Sequence, residues 1–164
     1  MKIITIDSKK HGVHDVLVDN ENFQELSKYH WTLYKNKNIL YAKRHIIIEG
    51  KRTTLKMHRF VMGLKTNDKL IVDHINHNSL DNRKANLRIC SQSENCRNKT
   101  SHKNSSSKYL GVSFNKKCKK WQYQICSNKK TIHLGLYINE IDAAKAYNNA
   151  AIKYHGEFAN INKF

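Results

Sequence analysis

From Arg97 to Lys108 the chain carries no apolar side chain: Arg97-Asn98-Lys99-Thr100-Ser101-His102-Lys103-Asn104-Ser105-Ser106-Ser107-Lys108. A polar, serine-rich and basic run without hydrophobic periodicity makes a linker, not an element of a core. The apolar residues must therefore be buried twice, once on each side of it. A length of 164 residues suits one or two small domains. The expected fold class is α+β, with a β-rich segment over residues 1–54, a second module over 55–99, a linker over 100–108 and a third module over 109–164.

Before the linker, Leu70-Ile71-Val72 has the character of a short buried strand that delivers Asp73 and His74 side by side. An Asn-rich loop follows, as expected where the backbone visits unusual conformations. Leu87-Arg88-Ile89 is a second short strand, and Ser91-Gln92-Ser93-Glu94 spells a capping box that starts a helix, with Asn95 in its first turn. Strand, loop, strand and helix bring Asp73, His74 and Asn95 within reach of one another. The residue types suit hydrolysis of a phosphodiester. Asp73 and the Asn95 amide oxygen are hard ligands for magnesium. The imidazole of His74, with an ordinary pKa of roughly 6.5, takes a proton near neutrality. Asn86, at the entrance to the second strand, is placed to clamp the loop. His77 is expected to face solvent or phosphate.

The flanks are read more coarsely. Ile3–Ile6 and Val13–Val18 are strand-like, and Asp19-Asn20-Glu21 can start a short helix containing Phe23 and Leu26. Trp31–Tyr34 and Ile39–Ala42 flank a polar turn and fit a hairpin, continued by Lys43-Arg44-His45 as either a phosphate-facing arm or a solvated edge. Leu55, Met57, Phe60, Val61 and Leu64 fall on helical spacing before Gly63 and predict a helix over 55–64. Arg59 on that helix could reach a phosphate, with Arg83 and Arg97 as further basic candidates; His58 is more at home as a packed histidine.

Beyond the linker, Gly111–Asn115, Trp121–Ser127 and Lys130–Leu136 are three strand-like runs. Period-2 alternation puts Val112, Phe114, Trp121, Tyr123, Ile125, Ile132 and Leu134 on one face and Ser113, Asn115, Gln122, Gln124, Cys126, Thr131 and His133 on the other. Asn139 is a good cap for a helix that presents Ala144, Tyr147, Ala151 and Tyr154 to the apolar face and ends near Gly156. Lys116, Lys117, Lys119, Lys120, Lys129 and Lys130 cluster at the strand ends, where they suit phosphate contacts, while Asn and Gln can read base edges.

Thirty Lys and Arg against thirteen Asp and Glu leave a charge of +17. That excess points to a polyanion, most commonly nucleic acid. No apolar run is long enough to span a bilayer, and the start is too soon polar for a secretory signal, so the expectation is an intracellular protein without a membrane partner. Cys90, Cys96, Cys118 and Cys126 form no Cys-x-x-Cys pair and are expected as reduced thiols.

Asp73-His74, Asn86-Leu87-Arg88 and Ser93-Glu94-Asn95, with Met57-His58-Arg59 upstream, resemble the HNH endonucleases with a ββα-metal finger, especially the phage and intron-encoded homing type. The resemblance implies His74 as general base, Asp73 and Asn95 as ligands of one Mg2+ or Mn2+ ion, and Asn86 as a structural residue. Residues 109–164 resemble the DNA-binding domain of the plant APETALA and ethylene-response factors, through Tyr109-x-Gly111-Val112, Trp121-x-x-x-Ile125, Leu134-Gly135-x-Tyr137, Asp142-Ala143-Ala144-x-Ala146-Tyr147 and Ile161-Asn162. That likeness implies a sheet docked in the major groove, with Ser113, Asn115, Gln124, Cys126, Thr131 and His133 facing the duplex. Together the two resemblances imply a metal-dependent endonuclease of double-stranded DNA, nicking one strand per active site, as a monomer or homodimer with no obligate protein partner. A DNA-binding regulator that does not cut, or a structural RNA-binding protein, would share the charge but have no use for the Asp73, His74 and Asn95 pattern.

Overall fold

Apolar alternation along Lys2–Ser8 (β1) and Gly12–Val18 (β2) folds them into an antiparallel hairpin, in register from Lys2↔Val18 to Ser8↔Gly12. The computed structural model describes residues 1–98, 105–127 and 130–164. They form two compact units, 1–91 and 92–164. The content is mixed α and β.

In the first unit, Asn20–Ser27 (α1) starts after Asp19. The Asp19 carboxylate does not cap that helix; it accepts a hydrogen bond from the Lys84 backbone N–H at 2.7 Å, 65 residues away. Thr32–Asn36 (β3), Ile39–Ile48 (β4) and Lys51–Lys56 (β5) form an antiparallel sheet in the order β3-β4-β5. The second turn, Glu49-Gly50, has φ of 49° and 74°, the left-handed pair that a two-residue hairpin needs. The helix expected over 55–64 is shorter, Met57–Val61 (α2). Its first predicted turn is strand instead, because Thr53, Thr54 and Leu55 pair with Ile46, His45 and Arg44, and Leu55 is buried from that strand. Helical spacing in so short a run did not outweigh the pairing of β-branched residues.

The core joins Ile6, Val16, Val18, Leu26, Trp31, Leu33, Ala42 and Met57. Arg44, expected either in an arm or at a wet edge, does neither: its guanidinium lies 3.7 Å from the Tyr29 ring centroid and 5.3 Å from that of Phe60. Such cation–π contact is worth about 1–2 kcal/mol when partly desolvated. Ile71–His74 (β6) and Leu87–Cys90 (β7) form a second antiparallel pair, Ile71↔Cys90 to His74↔Leu87. Leu70 is exposed and precedes the strand.

The second unit opens with Gln92–Asn95 (α3), a single turn, continued by a 3-10 turn over Cys96–Asn98. Val112–Asn115 (β8), Lys120–Ser127 (β9) and Lys130–Tyr137 (β10) make a sheet in the order β10-β9-β8. Glu140–His155 (α4) covers one face, with Asn139 Oδ1 accepting from the Ile141 N–H at 2.8 Å and Gly156 closing the far end. Ala143, Ala144, Ala150 and Ala151 are buried against Val112 and Ile125, and their small side chains permit the close approach. Gly111, at φ +74°, lies under the Tyr147 ring: a Cβ there would come within 2.1 Å of it. Ser106 and Ser107, read as linker, belong to this unit. Ser106 Oγ accepts from the Phe114 N–H at 2.9 Å and Ser107 Oγ donates to Glu140 at 2.6 Å. At the other end Asn162 bridges Leu110 and Asn148 through four hydrogen bonds of 2.7–3.2 Å.

The sheet contains a bulge that simple alternation does not foresee. Ile132 pairs with Ile125 and His133 with Gln124, but Gly135, not Leu134, pairs with Tyr123. The slip turns Leu136 onto the polar side beside Gln122, where it is exposed. Phe114, expected on the apolar face, is 39% exposed and meets Trp121 edge to face at 5.1 Å.

Candidate active site and duplex-facing residues

The β6–β7 pair presents Asp73 and His74 at the end of β6, and both are buried. Directly across the ladder, Arg88 places Nε at 3.0 Å and a terminal nitrogen at 2.8 Å from Asp73 Oδ2. The carboxylate is thus a buried anion held by a cation from the facing strand.

The loop from Ile75 to Asn86 is built by side chains standing in for backbone. Asn76 Oδ1 accepts from the Asn78 N–H, and Asn78 Oδ1 from the Leu80 N–H, two Asx turns in succession. His77 sits at φ 63° and is exposed. Asn86 ties the loop's ends, accepting from the Asn76 N–H at 3.0 Å and donating to the Asp81 carbonyl at 2.8 Å. The N-terminal strands brace the far side. Leu17 exchanges backbone hydrogen bonds with Leu80 and Asn82, at 2.9 and 2.8 Å, extending β2 into the loop.

That bracing fixes Asn82, which is 1% exposed. Its Nδ2 faces Met57 Sδ at 3.5 Å, so Oδ1 is turned to His74 Nε2 at 3.2 Å. An acceptor there keeps the ring proton on Nε2 and makes Nδ1 the basic nitrogen. The His58 ring stands edge-on to that of His74 at 5.0 Å, and Tyr41 lies 5.6 Å from His58 and 6.4 Å from His74. Burial lowers the pKa of His58 to about 2, with the positive charge of neighbouring groups acting the same way. Burial also lowers that of His74, opposed by the Asn82 hydrogen bond and the nearby Asp73 and Asp81 charges. Burial thus favours the neutral form of both rings.

Of the residues expected here, the first unit brings Asp73, His74 and Asn86 into one neighbourhood. Asn95 ends α3 and belongs to the second unit. Two arginines have other employment than phosphate. Arg59 donates to the carbonyls of Leu70 at 2.8 Å and Asp68 at 3.2 Å, and also to that of Lys65, closing the loop after α2. Arg83 forks onto Asp81 at 2.7 and 2.6 Å. In both cases a short loop of exposed carbonyls or a buried acid needed the cation nearby. Arg97 lies in the turn after α3. Asn82, Arg88, His58 and Tyr41 were not singled out as site residues. The first is one of several asparagines in its loop, and only the tertiary bracing distinguishes it; Arg88 could have been found from the register opposite Asp73.

The metal question turns on donor chemistry. Among the described residues no cluster of three His, Cys, Asp or Glu side chains could hold an ion, which is the donor set zinc asks for. Magnesium instead takes one or two carboxylates and keeps several waters, and Asp73 is a carboxylate of that kind.

On the sheet of the second unit, Lys119 (φ 51°), Lys120, Lys130, Thr131 and His133 are exposed, and Gln124 is partly so. Lys129 lies outside the described residues. Ser113 Oγ accepts from Gln122 Nε2 at 3.0 Å. Asn115 is not a free reader of bases: its Oδ1 accepts from the Lys117 and Cys118 N–H groups and its Nδ2 donates to Gln122, as a turn of four exposed residues requires. Cys90 is buried, the other three cysteines are exposed, and none of the four is in a disulfide.

The HNH endonuclease family profile matches residues 58–97, the span from His58 through α3. An uncharacterised HNH endonuclease of Acanthamoeba polyphaga mimivirus is 33% identical over 144 residues, covering 84% of this chain and 69% of the viral protein. The APETALA2-like protein 2 of rice, in both the indica and japonica subspecies, is 40% identical over 68 residues, which is 40% of this chain and 15% of the plant protein. Among the described residues no helix is long and apolar enough to cross a membrane.

Proposed function

The chain belongs to the HNH endonucleases and is a DNA-cleaving hydrolase, and from that premise we propose that it is a metal-dependent, homing-type enzyme that nicks double-stranded DNA with His74 as its base. The observation that carries the reading is the buried His74 ring, held by Asn82 and adjoining Asp73 within the family-matched span. His74 Nδ1 takes the proton of a water that attacks phosphorus. The bond from phosphorus to the 3′ oxygen breaks as the bond to the water oxygen forms, leaving a 5′-phosphate, and the departing oxygen takes a proton from solvent water to become a 3′-hydroxyl. Asn82 keeps the imidazole in the useful tautomer and orientation, and the His58 ring packs edge-on against it at 5.0 Å. Asn86 holds the loop that presents the ring, and Arg88 holds the Asp73 carboxylate in position.

Asp73 is the carboxylate suited to magnesium or manganese, and Asn95 is the second ligand that the family pattern supplies. The ion, when bound, neutralises charge on the scissile phosphate and on the departing oxygen. One such centre acts on one strand, so a double-strand break takes a second subunit or a second visit.

The second unit grips the duplex. This assignment rests on its likeness to the plant DNA-binding domain and on the polar, lysine-bordered face of β8–β10. Gln122, Gln124, Thr131 and His133 lie on that face for base contacts, with Lys119, Lys120 and Lys130 for phosphates. Leu136 is an apolar neighbour suited to a thymine methyl group.

Supercoiled plasmid incubated with magnesium, with manganese and with chelator tests the reading. Metal-dependent conversion to open circles, lost in His74→Ala while duplex affinity stays within a few-fold, is the expected result. Undiminished nicking by His74→Ala would remove the imidazole from the mechanism.

A further inference from the structure

Strand β4 outruns β3. Its pairing with β3 ends at Lys43↔Thr32, whereas its pairing with β5 continues from Lys43↔Lys56 to Ile48↔Lys51. Residues 44–48 and 51–55 therefore form a two-stranded ribbon beyond the edge of the sheet. Its two faces differ. Arg44 and Leu55 turn inward, to the aromatic cage and to burial respectively. The opposite face carries His45, Ile47, Arg52 and Thr54, all exposed, with Ile47 exposed by 77%.

That outward face contains no acid along its length; Glu49, at the turn, is the acid of the ribbon. No ion pair or hydrogen bond engages the Arg52 or His45 side chain among the described residues. A large aliphatic group at the tip of a basic ribbon, without apolar neighbours on its own face, is a poor solvated edge. It is a good fit to a groove, where the bases offer apolar surface and the rims offer phosphate.

The face also leads to the catalytic imidazole. Tyr41 lies on the same side of β4 as Lys43, His45 and Ile47 by alternation, and its ring contacts both His58 and His74. Lys56 Nζ stands 4.5 Å over the same ring. From Tyr41 to Ile47 is six residues, about 20 Å of strand, roughly six base pairs of duplex at 3.4 Å per step. A basic, aliphatic-tipped strip thus runs outward from the proposed centre at a length DNA can follow.

We propose that this outward face of β4–β5 is a second duplex-binding surface, separate from the C-terminal sheet: the ribbon lies in the major groove beside the cleaved phosphate, with Ile47 against base edges and Arg52 on a rim phosphate. A two-stranded ribbon has the dimensions that groove admits. The inference rests on the nuclease reading above and adds a surface to it. The face would fix where the scissile bond lies relative to the sequence held by the second unit.

The test uses full-length protein in the His74→Ala background with chelator, so that binding is read without cutting. Probes are a random-sequence linear duplex of 40 base pairs and the matching single strand, titrated with salt. Arg52→Gln should lower the slope of log affinity against log salt by about 0.9, one phosphate's worth. Ile47→Asp should weaken duplex binding about tenfold, with the circular-dichroism spectrum unchanged since both side chains are exposed. Unchanged affinity and slope in both variants would overturn the proposal while leaving the nuclease reading standing. Ile47→Asp that shifts a dimer to a monomer in sedimentation, with duplex affinity unaltered, would identify the face as a self-association surface and equally overturn it. A His74→Ala protein that binds no duplex at all would overturn both.

Discussion

His74 depends on a neighbour that contributes no charge. The Asn82 amide is oriented by Met57 on one side and delivers its oxygen to Nε2 on the other. Asn82→Leu should therefore lower the cleavage rate by about 10–100-fold, the usual loss when a partner that orients a functional imidazole is removed. Asn82→Asp, which keeps an acceptor, should recover most of it, and single-turnover nicking of plasmid checks both. His58 makes a prediction about pH. Its folded-state pKa, near 2, lies below the unfolded value of about 6.5. Between those values the unfolded chain binds a proton that the folded chain refuses, so stability falls as pH drops below 6.5 and is level above it. The slope from this group reaches about 1.4 kcal/mol per pH unit. Urea unfolding of the first unit between pH 4 and 8 should show that slope, and His58→Gln should flatten it.

At the scale of elements, two glycines with similar backbones should behave differently. Gly111 and Gly12 have φ of 74° and 79°, but a Cβ on Gly111 would meet the Tyr147 ring and the Gln124 carbonyl, whereas one on Gly12 would meet nothing within 4 Å. Gly12→Ala should destabilise the first unit by about 1 kcal/mol through backbone strain alone. Gly111→Ala adds overpacking and should cost the second unit about 3 kcal/mol or more, separable by chemical denaturation. Asn162→Ala belongs to the same scale. Its side chain bonds both the N–H and the carbonyl of Leu110, and losing the pair should cost about 2 kcal/mol by fastening β8 less firmly to α4.

For the whole molecule, the first unit carries its own core and the loop that holds His74 is braced by β2 and Asp19, both within that unit. Truncation after Asn98 should leave the thermal unfolding of the first unit nearly unchanged. Duplex affinity should fall by more than tenfold, and the salt slope by about 0.9 for each phosphate contact removed. An unchanged slope in filter binding would mean that the second unit does not touch the backbone of DNA.

Much of this was legible in the linear order. The linker's lack of apolar residues announced two cores. Alternation from Gly111 to Leu136, the Asn139 cap and the alanines of α4 outlined the second unit, because strand and helix periods are local properties. The Asp73-His74 pair and its family pattern are likewise sequential. Other features depended on distance. That Leu55 and Lys56 end a strand rather than begin a helix was decided by β4; that Arg44 and Arg59 serve structure was decided by aromatic rings and carbonyls elsewhere in the first unit; that Leu136 faces outward was decided by one bulged residue. Asn82 and His58 become site neighbours only when β2 seizes the loop and α2 closes over it. Periodicity tells a residue which face it occupies. Only packing tells it what it meets there, because hydrogen bonds and burial are settled between residues that are far apart in the chain.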